Sequence, residues 1–250
     1  MGIFVDAGSR YENASNNGVA HFLEHMIFKG TKSRTRAQLE EKIENMGGHL
    51  NAYTSREHTV YFAKVFKQDV SSAVEILSDI LQNSEFSTSA VEEERGVILR
   101  EMEEVEKNKD EVVFDKLHET AYPEAGLGRT ILGPRENIQK MQAEDLRSYI
   151  KTHYTGPRVV VSGAGAVDHE ELAGLADKHF GALPGHDAAD GALVTAPTDP
   201  AHFVGSEIRV RDDAQVSTHV AVGFETGGWT DAHSFPLQVM QQLLGSWDES

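Results

Sequence analysis

The apolar positions of this 250-residue chain change their spacing several times, and each change marks an element. Gly2-Ile3-Phe4-Val5 running into Gly8 predicts a short strand that ends in a glycine turn. After a polar loop from Tyr11 to Asn17, Val19, Phe22, Leu23 and Met26 fall at helical spacing, with Asn16 or Asn17 placed to cap the first amides. A second helix is predicted from Arg36 to Met46, stopped by Gly47-Gly48. Residues 49–66 are rich in β-formers and read as two strands. The 3.6-residue period returns over 67–82 through Val70, Val74, Leu77, Ile80 and Leu81. Two further helical patterns occupy 89–107 and 110–122, and a glycine-rich loop follows at 126–134. A helix over 143–153, a strand over 158–162 and a helix over 168–180, capped by Asp168 and stopped by Gly181, complete a strand–helix unit. The expected fold class is α+β, a mixed sheet with helices packed on it.

Residues 184–200 read as a linker or surface excursion, with proline, glycine and aspartate at both ends. Beyond them, Val220-Ala-Val-Gly-Phe-Glu-Thr-Gly-Gly-Trp and the apolar run Phe235 to Leu244 repeat the opening design of strand, glycine turn, loop and helix. A shift of 219 residues lays Gly227 on Gly8 and places Met240, Leu243 and Leu244 where His21, Glu24 and His25 stand in the first copy. The expectation is a first domain over 1–200 and, over 201–250, the start of a second domain that has lost its polar centre. Met1 leads straight into the first strand without a basic leader, a signal-type apolar block or an arginine-rich transit segment, so the N-terminus is expected to be a cut one.

Composition narrows the chemistry. No cysteine is present, which excludes a disulfide scaffold and any thiolate metal site. The apolar runs are strand-length, far short of the ~20 residues that cross a bilayer, so no transmembrane segment is expected. A net charge of −17 argues against nucleic acid as a partner and favours a basic one.

The strongest local signal is His21-Phe-Leu-Glu-His25. On a helix, positions i and i+4 lie one above the other, so both imidazoles can offer a nitrogen to one Zn²⁺, with Glu24 beside them to take a proton from water. This is the inverted order H-x-x-E-H. A catalytic metal wants a third protein ligand. Along 91–105, Val91, Val97, Ile98, Met102 and Val105 define an apolar arc, and Glu94 and Glu101 fall inside it while most neighbouring acids fall outside. A carboxylate facing a core is costly unless paired or bound to metal. Glu101 as metal ligand with Glu94 as its supporting residue is one reading; buried salt bridges to Arg95 or Arg100 are the other. His49, His58, His118 and His153 lack paired spacing and read as surface or satisfied core residues.

Taken together, His21-Phe-Leu-Glu-His25-Met, Glu94…Glu101-Met-Glu-Glu and Gly128-Arg-Thr-Ile-Leu-Gly133-Pro resemble the pitrilysin/insulinase family of zinc peptidases. The resemblance extends over essentially the whole chain, including Leu50-Asn-Ala-Tyr-Thr-Ser-Arg56, Glu111-Val-Val-Phe-Asp115 and Gly227-Gly-Trp229-Thr-Asp231. It implies that His21, His25 and Glu101 bind Zn²⁺, that Glu24 is the general base and that Glu94 supports the site. It also implies that Asn51, Ala52 and Tyr53 form a strand edge on which an extended substrate adds, and that Phe28 lines the pocket after the cut. Glu111 and Asp115 would receive an arginine just before the cut. The branch resembled most removes basic presequences from imported mitochondrial precursors in the matrix, as a heterodimer with an α-type homologous subunit. An alternative within the same family is a core subunit of the ubiquinol–cytochrome c reductase complex at the inner membrane, with respiratory subunits as partners. Between Glu92 and Asp115 stand ten acids and four bases, a charge balance suited to a basic peptide.

Overall fold

A computed structural model describes residues 1–123, 125–185 and 201–245. Four strands, β1 (Gly2–Val5), β2 (His49–Thr54), β3 (Thr59–Lys64) and β4 (Val159–Ser162), form one sheet in the order β2-β3-β1-β4. Every pairing among them is antiparallel, where the sequence led us to expect a mixed sheet. The short turn between β2 and β3 forces that hairpin to be antiparallel, since a parallel pair needs a long crossover. Ile3 lies opposite both Tyr61 and Val161, so β1 joins the hairpin to a strand more than 150 residues away.

The helices are α1 (Val19–Met26), α2 (Arg36–Asn45), α3 (Val70–Asn83), α4 (Thr88–Val105), α5 (Lys109–Ala121), α6 (Arg135–Lys140), α7 (Ala143–His153), α8 (His169–Phe180) and α9 (Ser234–Leu244). Ile3, Val5, Ala52, Tyr61 and Ala63 point from the sheet into a core completed by Phe22, Leu23, Leu77, Ile80, Ile98 and Leu146. Burying one such side chain stabilises by about 1.5–3 kcal/mol. α1 is central to it: Val19, Ala20, Phe22, Leu23 and Met26 are all buried.

The start of α1 is capped by a residue the sequence pattern did not suggest. The buried Glu12 carboxylate accepts from the amides of Gly18 and Ala20, both at 2.8 Å, and from Asn17 Nδ2 at 2.7 Å. Asn17, expected as the cap, instead serves Glu12 and reaches the Thr130 carbonyl at 2.9 Å. A carboxylate here satisfies otherwise orphaned amides and sits at the positive end of the helix dipole. Gly18 adopts φ 101°, and Gly133, at φ 71°, approaches so closely that a Cβ there would lie 2.3 Å from the Asn17 carbonyl oxygen. Asn137 Nδ2 closes the same junction by donating to that oxygen at 3.1 Å.

Arg95 sets the rotation of α4. Its guanidinium, nearly buried, donates to the carbonyls of Ile138 at 2.5 Å and Met141 at 2.8 Å. α6, which the periodicity did not predict, is the short piece that presents these carbonyls.

A second polar network ties β1 to β4. Arg158 Nε donates to the Asp6 carbonyl at 2.8 Å, and Nη1 donates to His153 Nδ1 at 2.7 Å. The guanidinium also lies 4.6 Å from the Tyr11 ring centre. Burial and then the Arg158 charge push His153 down to about 4. Its unfolded value is ~6.5, so between the two the unfolded chain binds the extra proton and stability is lost as the pH is lowered. Wild type is expected to lose up to about 3 kcal/mol from this residue as pH drops from 7 to 4. His153→Gln, which still accepts from Arg158, should show that much less acid sensitivity in urea titrations at the two pH values; identical slopes would remove His153 from the account.

Beyond residue 201 the described chain is largely exposed and α9 is its regular element. The strand expected at 220–222 is not formed: a strand persists only when hydrogen-bonded to a neighbour, and none of the described residues supplies one there.

Candidate metal centre

The buried face of α1 and the phase of α4 bring three side chains to one point. His21 Nε2 lies 3.5 Å from Glu101 Oε1, and His25 Nε2 lies 3.2 Å from Glu101 Oε2. The two imidazoles meet edge to face, with centroids 4.7 Å apart. One donor atom from each of the three residues falls within 4.8 Å of the others, the single such group of histidines, aspartates and glutamates among the described residues.

Those separations fit a small tetrahedral cation. Bonds of ~2.0–2.1 Å to nitrogen and oxygen place neighbouring donors about 3.4 Å apart. Glu101 Oε2 and the far ring nitrogen of His21, Nδ1, are buried and neither makes a hydrogen bond. Proximity of Glu101 Oε2 to His25 without hydrogen-bond alignment is what donors aimed at a common point would show. Two imidazole nitrogens and a carboxylate, with no thiolate, form a donor set suited to Zn²⁺.

Electrostatics reinforce the grouping. His21 and His25 hold the Glu101 carboxyl far below the usual carboxylate range. Burial pushes His25 down, but Glu101 and Glu94 outweigh it and the net direction is up. Glu94, with 6% of its side chain exposed, places Oε2 3.2 Å from His25 Nδ1 and pairs through Oε1 with Lys29 Nζ. With Nδ1 against the Glu94 carboxylate, Nε2 is the ring nitrogen of His25 that faces Glu101. Glu94 makes a buried salt bridge, but its partner is neither Arg95 nor Arg100. Arg95 pairs with Glu92, and the cation on Glu94 is Lys29, which follows α1 and so lies outside any helical-arc argument.

Glu24 stands half-buried on α1 between the two histidines and, among the described residues, makes no hydrogen bond or salt bridge. Phe28, two residues past the end of α1, is partly buried against the core. Asn51, Ala52 and Tyr53 lie on β2, which is the sheet's edge strand. The Ala52 amide donates to its neighbour Asn51 Oδ1 at 2.9 Å, and Tyr53 is 44% exposed. A groove of about 470 Å³ crosses the opposite side of the sheet between Met1, Phe4, Phe62, Val65 and Val167, and of the candidate residues it includes Tyr53 alone.

Glu111 and Asp115 share one face of α5, as their spacing requires. Neither is unpartnered: Glu111 accepts from Asn108 Nδ2 at 2.7 Å, and Asp115 pairs with Arg56 Nη2 at 2.5 Å. Sequence reasoning missed Arg56, Lys29 and Glu12. Their partners lie 59, 65 and up to 8 residues away, and only Glu12, a lone acid just ahead of a helix start, carried a local hint.

Comparison with known proteins gives the family. Residues 1–135 match the family described as Insulinase (Peptidase family M16), and residues 140–250 match the one described as Peptidase M16 inactive domain. The chain is 57% identical over its whole length to the mitochondrial-processing peptidase subunit beta of Rattus norvegicus and of Homo sapiens. It is 54% identical to the same subunit of Blastocladiella emersonii. It spans about half the length of these relatives, 50–52%. A solved structure of a protease from Helicobacter pylori superposes with a TM-score of 0.70 at 25% identity, covering 78% of this chain and 47% of that one. With a family match over more than half of its residues and the paired histidines inside it, the chain belongs to the insulinase family of peptidases, family M16.

Proposed function

We propose that the chain is the metal-bearing part of a zinc metalloendopeptidase that removes basic presequences from imported mitochondrial precursors. The observation that carries this reading is the convergence of His21, His25 and Glu101 from two helices, with Glu24 beside them. The 53–57% identity to beta subunits of mitochondrial-processing peptidase supports the substrate class, the mitochondrial matrix as location and an α-type homologous subunit as partner. Residues 1–200 are the zinc-bearing domain in this reading, supported by the pairing of β4 with β1, and 201–250 begin a second, degenerate domain.

His21, His25 and Glu101 would hold the ion. Zinc, when bound, lowers the pKa of water toward ~7 and polarises the scissile carbonyl. Glu24 takes the proton of the attacking water on its carboxylate and returns it to the leaving amine. Glu94 fixes the orientation of His25. An extended peptide pairs along β2 at residues 51–53, exchanging the Asn51 side chain for its own carbonyl at the Ala52 amide, and Phe28 contacts the residue after the cut. The substrate's arginine meets Glu111 directly and shares Asp115 with Arg56.

The test is a presequence peptide cleaved in the presence of an α-type subunit, alongside the same peptide with the arginine before the cut replaced by citrulline. A charge-assisted pair is worth ~1.5–3 kcal/mol, so kcat/KM should fall by about 10- to 100-fold. Equal rates would remove presequence selectivity and leave a general oligopeptidase.

A further inference from the structure

Lys29 is a charged side chain with no assigned task whose one partner is itself buried. The backbone turn after α1 positions it: the Lys29 amide donates to the Met26 carbonyl at 3.0 Å, and Gly30, at φ 122°, then reverses the chain. The Gly30 carbonyl accepts from the Glu85 amide at 3.3 Å, which secures the turn against the segment leading into α4. From this anchored position Nζ reaches Glu94 Oε1 on α4, and both side chains are largely shielded, at 20% and 6% exposure.

We propose that Lys29 is a positioning residue for the metal centre, acting through Glu94 on His25; the proposal rests on the metal-site reading above. A carboxylate has two oxygens, and here each has one task. Oε1 is held by Lys29, which leaves Oε2 directed at His25 Nδ1, 3.2 Å away. The imidazole is thereby kept in the tautomer and rotation that turn Nε2 toward Glu101 and His21. Remove the ammonium and Glu94 becomes a buried charge with a single polar contact, an arrangement that strongly favours rotation or hydration of the carboxylate. His25 then loses its brace although no ligand has changed. The chain Lys29–Glu94–His25 thus extends the support of the site by one residue beyond the carboxylate.

The experiment is a double-mutant cycle on the 250-residue chain, read by competition for Zn²⁺ against a chromophoric chelator. Lys29→Met should weaken zinc binding by about 10- to 100-fold, the range for lost outer-sphere partners. Glu94→Gln should weaken it similarly, and adding Lys29→Met to Glu94→Gln should change affinity by less than about threefold, because the route is already broken. Fully additive losses, or a Lys29→Met chain with wild-type affinity, would overturn the proposal. A purely architectural lysine would lower the thermal midpoint of the metal-free chain while leaving zinc affinity intact, so that result also counts against it. If Lys29→Met proves unfolded by circular dichroism, Lys29→Gln, which keeps a donor without the charge, takes its place in the same cycle. Absence of zinc binding by the wild-type chain would instead defeat the metal-site reading itself.

Discussion

Glu24→Gln is expected to keep its full complement of zinc and to lose about 10²- to 10⁴-fold in kcat, the usual contribution of a positioned general base. The substitution preserves size and hydrogen-bonding reach while removing the proton acceptor. Glu24 is well suited to the role because, among the described residues, it spends its carboxylate on no hydrogen bond or salt bridge. Tyr61 and Tyr154, whose phenols feel the Glu24 charge, are buried, share a hydrogen bond of 2.7 Å and have their pKa values pushed up, chiefly by burial, so they stay neutral. Cleavage of a presequence peptide and elemental analysis of the same preparation decide the matter together. A Gln variant within tenfold of wild type would take Glu24 out of the proton transfer.

His21→Ala and Glu101→Gln should each drop zinc content from about one ion per chain to a small fraction of that, because two protein donors rarely hold a catalytic zinc. Glu103→Gln on the exposed side of the same helix is the control and should retain the metal. Glu101 is the more informative of the two ligands. His21 could be chosen from the local motif alone, whereas Glu101 stands 76 residues beyond His25 and joins the site only through the rotation of α4. Full occupancy in Glu101→Gln would mean that a different residue completes the site.

What could be read from the chain without coordinates was whatever its neighbours in sequence determine. The helix over Val70–Asn83 follows from one apolar period, and the β2–β3 hairpin from two β-rich runs. Both histidines share a face because helix geometry alone requires it. The placement of Glu94 and Glu101 on the inner arc of α4 was accessible for the same reason. α6 was not, since six residues with one buried apolar side chain, Ile138, carry no recognisable period. Nor was the identity of partners across elements: Lys29 to Glu94, Arg56 to Asp115 and Arg95 to the carbonyls of 138 and 141 are decided by how helices dock. Charge pattern announces that an acid is buried, but the cation that meets it comes from whichever element packs there.

The junction between the turn at 16–18 and the loop at 130–137 has a temporal consequence. The two imidazoles are neighbours in sequence, yet the platform beneath them is locked by Thr130, Gly133 and Asn137, more than a hundred residues downstream. The motif helix precedes in the chain both the segment that fixes its origin and the carboxylate that completes the triad, so its platform is finished only when those distant segments have docked on it. Metal capture by the proposed triad would therefore wait on that docking, and the ion would complete the fold rather than nucleate it.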